Sequence, residues 1–541
     1  MSYNILPKDG IAGLKQNWKT DLLSGFLVFL IALPLCLGIA MASGFPPIAG
    51  IFTAIIGGLI VSPFMGSRLS IKGPAAGLIA IAVAAVADLG QGDAMLGYKL
   101  ALAVVVVTGI VQVAFALLHL GRFVDFFPTA AVHGMLAAIG IIIIAKQFPV
   151  MLGVKPEASN PLLMLAEIPS MLANLNPEVA IIGGLSLLIL FGLPLIKIGW
   201  VKKIPAPMVV LFIAIPLGLI FDLSHEHQYL FLDHHFSLGP RFLVTLPDNI
   251  TDGINFPDFS QIFTGTSIKY IIMFALVGSL ESLLTVKAVD GLDPYHRKSD
   301  PNRDLLAVGV GNTLSGLVGG LPMIAEVVRS SANVNNGAKT RWANFFHGAL
   351  LLFFVALVPN LIHQIPLAAL AAMLVYTGTR LASPKLFKET YQVGKEQIAV
   401  FMITVIVTLA EDLLVGIAAG IVLELLIYLF SGAKLSSLFK LKIDATELQE
   451  EINIKPSESA TFANYLGFKK CLDNIPMGKK VTIDLSGMSL IDHTCMEQLH
   501  HFEHQYPRTG GTVHILGLDA LRASSAHPLA GRRAPKKQKA H

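Results

Sequence analysis

The sequence predicts an α-helical protein that crosses a membrane many times, followed by a small α/β domain. Of the 541 residues, 54% are hydrophobic and only 14% are charged, whereas soluble proteins carry about 25% charged residues. The apolar residues form runs of about 20, which is the length that a helix needs to cross the hydrocarbon core. Glycine and proline, which membrane helices tolerate, are abundant. These observations exclude an ordinary soluble enzyme.

Fourteen apolar runs are candidate transmembrane segments. Ten of them are long, and they cover residues 22–43, 99–119, 129–149, 178–197, 206–222, 267–286, 304–320, 343–359, 397–411 and 413–431. Four are short or interrupted by glycine or proline, and they cover residues 48–64, 74–88, 322–336 and 366–378. The short runs predict broken or re-entrant helices.

The basic residues predict the orientation in the membrane. Loops that follow even-numbered segments carry Arg68, Lys287, Lys339 and Arg380, on the same side as the lysine-bearing amino terminus. By the positive-inside rule, both termini are predicted to be cytoplasmic. Because the net charge of +4 is spread over these loops and not over one face, we expect no nucleic-acid partner.

Fourteen segments divide into two sets of seven, and an odd number per set means that the second set is inverted relative to the first. Such inverted repeats mark secondary transporters, and a pair of interrupted segments at matching positions marks their binding site. Here Gly73-Pro74 opens the third segment and Gly319-Gly320-Leu321-Pro322 opens the tenth. The third and tenth segments are equivalent positions of the two sets.

A helix that begins inside the membrane presents unpaired N–H groups and the positive end of its dipole, which together favour an anion. Two such helices opposed at Pro74 and Pro322 would form an anion site without any charged side chain. Proline suits the first turn, where its missing N–H costs nothing. The alternative interpretation is a pair of kinks in ordinary helices.

Charged residues inside the apolar runs are candidate functional residues because they are costly there. Glu281 lies in the eighth segment with Thr285 one turn later, and these two could bind a proton or sodium. Arg329 lies in the tenth half-helix, where its forked donors suit an oxyanion. We hypothesise that Glu281 and Arg329 neutralise each other until a cation releases Arg329 for the anion; a purely structural ion pair is the alternative. Lys72 either adds to this field or extends to the cytoplasmic surface.

The predicted organisation has four parts. A cytoplasmic segment at 1–20 precedes the transmembrane domain at 21–432, an α/β domain at 433–520 and a disordered basic tail at 521–541. Within the α/β domain, residues 480–485 predict a buried strand, residues 494–505 predict a helix and residues 511–516 predict another strand. The three cysteines have no paired spacing, so neither a disulfide framework nor a cysteine metal site is expected.

Several short motifs resemble the sulfate permease family of anion transporters. They are Ile31-Ala32-Leu33-Pro34-Leu35, Ala42-Ser43-Gly44-Phe45-Pro46-Pro47, Ile71-Lys72-Gly73-Pro74-Ala75-Ala76-Gly77, Glu281-Ser282-Leu283-Leu284, and Gly319-Gly320-Leu321-Pro322 with Arg329-Ser330-Ser331-Ala332-Asn333. Each is weak alone, but five in order over residues 20–430 are specific. The segment around Asp484-Leu485-Ser486-Gly487 and Ile491-Asp492-His493-Thr494 resembles the cytoplasmic STAS domain of that family, in an abbreviated form.

The resemblance implies a seven-plus-seven fold with a core domain that moves against a gate domain, and a homodimer. It places the anion between the third and tenth half-helices. The implied substrate-binding residues are Gly73, Pro74, Ala75, Ala76, Pro322, Met323, Ile324, Ala325, Glu326 and Arg329, together with Leu35. It also assigns Glu281 to the coupling of transport to a proton or sodium, and the helix spacing alone offers Thr285 as a second sodium ligand. No further cofactor is expected.

The choice of anion rests on one position and on pocket polarity. Proton-coupled sulfate members often carry glutamine directly after the first-segment proline. This chain has Leu35 at that position, and in this respect it resembles bicarbonate-type members, which have an apolar residue there. A less polar pocket suits a singly charged planar anion better than sulfate, which needs many donors. We therefore predict a bicarbonate symporter. The variant Gly73-Pro74-Ala75-Ala76-Gly77-Leu78 also resembles bacterial members that work alongside carbonic anhydrase, and this resemblance implies the bacterial inner membrane and a functional partnership with carbonic anhydrase. A proton-coupled sulfate transporter is the alternative.

The sequence is also compatible with other classes of function. The same fold could form an anion exchanger or an anion channel. A related seven-plus-seven scaffold could carry nucleobases, although Arg329 and the C-terminal domain favour an inorganic anion. No nucleophile, metal set or phosphate loop supports a membrane enzyme.

Overall fold

The computed structural model describes residues 6–121, 127–158, 160–196, 204–231, 234–247, 249–295, 297–411, 413–431, 433, 437, 441–447 and 451–535. The chain forms two compact units. The first contains residues 1–122 and 139–380, and the second contains residues 123–138 and 381–541. Every candidate residue of the anion site belongs to the first unit.

The first half of the chain forms helices over its seven predicted segments. They are α1 (Gly10–Ala42), α2 (Pro47–Ile56) with a π-helical turn at Gly57–Val61, α3 (Ile79–Gly90) after a 3-10 turn at Ala76–Leu78, α4 (Ala94–Leu117), α5 (Thr129–Leu152), the short α6 (Pro161–Ala166) and α7 (Ile168–Ala173), α8 (Pro177–Gly192) and α9 (Ala206–Ile220). Helix α1 starts before the predicted residue 22 because the Asp9 carboxylate accepts a hydrogen bond from the Gly10 N–H at 2.8 Å and caps a polar first turn.

The second half repeats this pattern. Its helices are α10 (Gly265–Leu292), α11 (Pro301–Leu317), α12 (Val327–Asn335), α13 (Trp342–Leu357), the short α14 (Pro359–Ile362), α15 (Leu367–Leu381), α16 (Pro384–Val393), α17 (Lys395–Ala410) and α18 (Leu413–Phe430). Among the described residues, six helices are long and apolar enough to cross a membrane by themselves. The remaining segments are shorter or interrupted, and the predicted polytopic fold is confirmed.

Short strands lie where the third and tenth segments are interrupted. Strand β1 (Lys72–Pro74) precedes α3, and β4 (Met323–Ala325) precedes α12. Between them, β2 (His227–Phe231) and β3 (His234–Leu238) form a separate antiparallel hairpin. The sequence predicted both interruptions, but it did not predict that the chain there is extended.

The C-terminal domain is built around a mixed sheet. Its strands are β5 (Lys442–Glu447), β6 (Glu451–Ala460), β7 (Lys480–Asp484), β8 (Met488–Ile491), β9 (Thr512–Leu516), β10 (Arg522–Ala523) and β11 (Arg532–Arg533), in the order β10-β11-β8-β6-β7-β9 with β5 beside β6. Helices α19 (Tyr465–Asp473) and α20 (His493–Gln505) complete it. Ile454, Val481 and Ile483 are fully buried in its core. The predicted strands near 480 and 512 and the helix near 494 are confirmed.

The predicted disorder of residues 521–541 is wrong for the part that the structure describes. Arg532 and Arg533 pair with Ile491 and Leu490 of β8, so this stretch adds an edge to the sheet. The Arg533 guanidinium also forms an ion pair with Glu396 of α17. Composition alone indicated a solvated basic segment, but the backbone of these residues completes a sheet edge. Residues 536–541 lie outside the described residues.

A buried cluster of two carboxyl groups and one hydroxyl group joins α18 to the C-terminal domain. The Tyr428 hydroxyl contacts Glu424 Oε1 and lies 3.0 Å from Asp492 Oδ2. The three residues are at most 3% exposed. Asp492 already accepts hydrogen bonds from the Phe462 and Cys495 N–H groups. Because a tyrosine hydroxyl has only one hydrogen, it cannot donate to both carboxyl groups. We infer that Tyr428 donates to Asp492 and that Glu424 carries a proton that it donates to Tyr428.

This proton assignment predicts different effects of two substitutions. Tyr428→Phe should lower the free energy of unfolding by about 1–3 kcal/mol, because it removes one hydrogen bond from each of two buried carboxyl groups. Glu424→Gln should have little effect, since the glutamine amide has the shape of a protonated glutamate and can donate to Tyr428. Thermal unfolding of the purified chain measures both. A Glu424→Gln variant that is as unstable as Tyr428→Phe would contradict the assignment.

Candidate functional site

The two interrupted segments meet through their strands. β1 and β4 pair antiparallel, with Gly73 opposite Ile324 and Pro74 opposite Met323. Two further backbone hydrogen bonds extend the pairing, from the Ala75 N–H to the Pro322 carbonyl oxygen at 3.2 Å and from the Glu326 N–H to the Ile71 carbonyl oxygen at 2.9 Å. The pairing brings the amino-terminal ends of α3 and α12 to one place. Broken, opposed half-helices are therefore present, and not simple kinks.

Neighbouring helices hold β4 through polar side chains. Asn312 of α11 uses its side-chain amide to accept a hydrogen bond from the Met323 N–H and to donate one to the Met323 carbonyl oxygen. Ser282 of α10 accepts a hydrogen bond from the Ala325 N–H at 3.0 Å. These contacts satisfy backbone groups that would otherwise be unpaired in an apolar surrounding. Sequence analysis missed Asn312, although an asparagine inside an apolar run was a visible signal.

Arg329 is buried at the meeting point of the half-helices. Its side chain is 0% exposed, and none of its three guanidinium nitrogens has a hydrogen-bond partner among the described residues. One of them, Nη1, lies so close to Gly73 that a side chain at that position would overlap it. A buried charge without partners is strongly unfavourable. The arrangement fits a guanidinium that is completed by an anion.

The electrostatic neighbours of Arg329 are Glu326, the Cys36 thiol and the His347 ring. Neither Glu326 nor His347 accepts a hydrogen bond from the guanidinium, and the Cys36 thiol beside it is only a weak acceptor. Glu326 instead uses its Oε1 atom to accept a hydrogen bond from the Ala76 N–H at 3.1 Å. One backbone donor at the start of the third half-helix is thus already bound by a carboxylate of the tenth. Any anion in this space shares the positive field with Glu326.

Glu281 reaches the third half-helix from α10. Both of its carboxylate oxygens lie where a Cβ atom of Gly77 would be, so only glycine admits the carboxylate there. Its Oε2 atom is buried and has no hydrogen-bond partner among the described residues. Thr285 follows one turn later in the same helix and is 2% exposed. The two residues therefore lie on one buried face, as the proposed coupling site requires.

The hypothesis that Glu281 and Arg329 neutralise each other is wrong for this structure. No ion pair joins them in the part of the chain that is described, and the electrostatic neighbour of Glu281 is Glu326. The reason is geometric. Because Gly77 has no side chain, the Glu281 carboxylate packs directly against the third half-helix. Arg329 lies instead against Gly73, which precedes Gly77 by four residues in the third segment.

Lys72 follows neither of the two sequence-based expectations. It is 0% exposed and forms a buried ion pair with Asp304, with 2.5 Å between Nζ and Oδ2. Asp304 Oδ1 also accepts a hydrogen bond from the Ser67 N–H at 3.1 Å. Asp304 therefore neutralises the lysine charge, and the ion pair anchors β1 to α11. Asp304 opens the predicted segment 304–320, and a lone acid at that place was a signal that sequence analysis did not use.

Leu35 directly follows Pro34 within α1 and is 8% exposed. Helix α1 packs against β1 and α12, so Leu35 belongs to an element that lines both half-helices. Its neighbour Cys36 is fully buried and is one of the electrostatic neighbours of Arg329. The structure brings the other candidates, Gly73 to Ala76 and Pro322 to Arg329, into one region by the strand pairing.

A polytopic helical fold in which two broken helices oppose each other at matching positions is characteristic of secondary membrane transporters. The chain belongs to the Sulfate permease family, whose sequence profile matches residues 18–404. Members of this family transport anions, and the chain is therefore a transporter and not an enzyme. The resemblance to this family that was drawn from the motifs within residues 20–430 is confirmed.

Individual relatives carry different substrates in their names. The bicarbonate transporter BicA of Synechocystis sp. is 25% identical over 406 residues, which cover 75% of this chain and 69% of BicA. The sodium-independent sulfate anion transporter of Bos taurus is 24% identical over 528 residues, which cover 92% of this chain and 84% of that protein. The solved structure of SLC26A9 matches with a TM-score of 0.67 at 15% identity and covers 93% of this chain and 85% of its own. It shows the same fold.

Proposed function

We propose that this protein carries bicarbonate across the bacterial inner membrane together with a cation, sodium or a proton. The observation that carries the proposal is the fully buried Arg329 guanidinium, which has no hydrogen-bond partner among the described residues and lies where two half-helices begin. A guanidinium fork and helix amino termini both favour an oxyanion. The anion would lie between Gly73 to Ala76 and Pro322 to Arg329, with Leu35 on the neighbouring helix.

The charges around the site support coupling to a cation. Arg329 supplies one positive charge, while Glu281 and Glu326 supply two negative charges when both are ionised. Lys72 and Asp304 cancel each other. An arriving anion would add further negative charge in a buried region, which is costly without compensation. A sodium ion or proton at Glu281, with Thr285 as a neighbouring ligand for sodium, would offset that charge.

The balance of charges around the site also favours a singly charged anion. Sulfate would bring two negative charges and would need many hydrogen-bond donors. One backbone donor, the Ala76 N–H, is already bound by Glu326. Bicarbonate needs fewer donors, and one similar protein is named a bicarbonate transporter. Proton-coupled sulfate transport is the second candidate, and a relative named as a sulfate transporter supports it.

The rest of the proposal follows from the family resemblance. Transport would proceed by an elevator-type movement of a core domain against a gate domain, in a homodimer with both termini in the cytoplasm. The C-terminal domain would be of the STAS type, and carbonic anhydrase would be a functional partner that supplies or consumes bicarbonate. The alternatives within the same fold are an anion exchanger and an anion channel.

Uptake of radiolabelled bicarbonate and sulfate into proteoliposomes tests the substrate and the coupling together. We expect bicarbonate uptake that an imposed sodium or proton gradient drives above the level of liposomes without protein. Sulfate uptake alone would contradict the choice of anion. Uptake that requires an internal anion would indicate exchange, and currents far above any stoichiometric flux would indicate a channel.

A Glu281→Gln variant tests the coupling residue. We expect bicarbonate binding to persist while the dependence of uptake on the cation gradient disappears, because glutamine keeps the shape of the carboxyl group without its charge. Uptake at several gradients, compared with binding of the labelled anion to purified protein, measures the two effects separately. Unchanged gradient dependence would remove Glu281 from the coupling mechanism.

A further inference from the structure

The outer surface of α20 carries three side chains that can bind a metal ion. His500, Glu503 and His504 lie within one turn of this helix, and one potential ligand atom from each lies within 4.8 Å of the others. The site belongs to the C-terminal domain and is separate from the anion site. Nothing in the transport mechanism uses these residues.

The two imidazole rings already have a geometry close to that of a chelating pair. The Nε2 atoms of His500 and His504 are 3.1 Å apart. Two nitrogens bound to one tetrahedral zinc ion at the usual bond length of 2.0–2.1 Å are separated by about 3.3 Å. The rings are nearly perpendicular, with an interplanar angle of 84°. A small side-chain adjustment would place one ion between both nitrogens.

Glu503 lies where it can orient the first of these ligands. Its Oε2 atom is 3.6 Å from His500 Nδ1, which is an ion-pair distance. A carboxylate on this side favours the tautomer with its proton on Nδ1 and leaves the lone pair of Nε2 directed at His504. Metal-bound histidines commonly have such a carboxylate behind them, and it raises the basicity of the ring.

The helix that carries the site is fixed in place and open to solvent. The opposite face of α20 buries Cys495, Met496 and Leu499 in the domain core, and the Asp492 carboxylate caps its first turn. The side chains of His500 and Glu503 are 45% exposed, so an ion can enter without any opening of the fold. A rigid helix lowers the entropic cost of bringing two ligands together.

The order His500-x-x-Glu503-His504 repeats a spacing by which one class of zinc peptidases holds its metal on a helix. A peptidase would also need a third protein ligand, and in the described residues only these three side chains form a group that could hold a metal. We propose that His500 and His504, with Glu503 as a positioning residue, bind a divalent transition metal ion of the zinc type, whose remaining positions are filled by water. The proposal does not depend on which anion the protein transports.

Equilibrium dialysis of the purified full chain against Zn²⁺ tests this site, with bound metal counted per chain. We expect the wild-type protein to bind one more Zn²⁺ than a variant with both His500→Ala and His504→Ala. We also expect Glu503→Gln to weaken this binding by about 10–100-fold, as loss of such a supporting carboxylate usually does. His514→Ala, on the exposed part of β9 in the same domain, is the matched control and should bind as the wild type does.

Histidines elsewhere, such as His227 and His234 of the β2–β3 hairpin, contribute equally to all four proteins and cancel in the comparison. Equal numbers of bound Zn²⁺ with equal affinity in the wild type and the double variant would overturn the proposal. Equal loss in the His514→Ala control would overturn it as well, since binding would then not depend on the geometry of α20. An unchanged affinity in Glu503→Gln would remove its positioning role.

Discussion

Arg329→Ala should reduce anion binding and uptake more than about 100-fold. A guanidinium can donate two charge-assisted hydrogen bonds to an oxyanion, and each contributes roughly 1.5–3 kcal/mol. Arg329 has no hydrogen-bond partner among the described residues, so its donors are free for the anion. The alanine variant would lose those bonds and would also leave Glu326 without a nearby positive charge. Uptake and binding of labelled bicarbonate measure the effect.

Two further variants separate the role of charge from the role of the forked donors and from folding. Arg329→Lys keeps the positive charge next to Glu326 but loses the fork, and we expect it to fold while binding the anion more weakly than the wild type does. Arg241→Ala removes an exposed arginine of the 3-10 turn that follows β3 and should behave as the wild type. Normal anion binding by a folded Arg329→Ala protein would show that the site lies elsewhere.

Gly77→Ala should reduce uptake at least about tenfold although it adds a single methyl group. The new Cβ atom would overlap both carboxylate oxygens of Glu281. Either the carboxylate moves away from the third half-helix or the first turn of that half-helix shifts, and each change disturbs the site. Overpacking of this kind also costs about 1–3 kcal/mol of stability. Uptake, its gradient dependence and Tm together report both effects.

Gly184→Ala is the matched control for this substitution. Gly184 lies in α8, and apart from the adjoining backbone of that helix a Cβ atom there meets no atom within 4 Å. The same chemical change should therefore leave uptake and Tm near the wild-type values, with a slight gain from the better helix propensity of alanine. Equal uptake in the Gly77→Ala and Gly184→Ala proteins would contradict the close approach of Glu281.

Much of the fold followed from local patterns in the sequence. The apolar runs predicted where the membrane helices lie, and the interruptions at Gly73-Pro74 and Gly319 to Pro322 predicted where two of them are broken. The equivalent positions of these breaks also predicted that they meet. Such signals are readable because hydrophobic length and the breaking of a helix by proline depend on a few neighbouring residues.

The partners of the charged residues did not follow from the sequence. Glu281 and Arg329 were expected to pair, but Gly77 gives the Glu281 carboxylate a space against the third half-helix and Gly73 does the same for Arg329. Lys72 pairs with Asp304, which is 232 residues away along the chain. The tail near Arg532 was expected to be disordered but forms a sheet edge.

The sequence by itself determined the class of this protein, a polytopic membrane protein with two broken helices at matching positions and few buried charges. Only the tertiary structure decided which of those charges face each other and which one, Arg329, has no hydrogen-bond partner among the described residues. The physical reason is that helix length is set by local hydrophobicity, whereas the partner of a buried charge is set by packing between distant segments. Because Gly73 and Gly77 have no side chains, Arg329 and Glu281 can pack against the backbone at these positions. No local sequence pattern shows which distant side chain will occupy such a space.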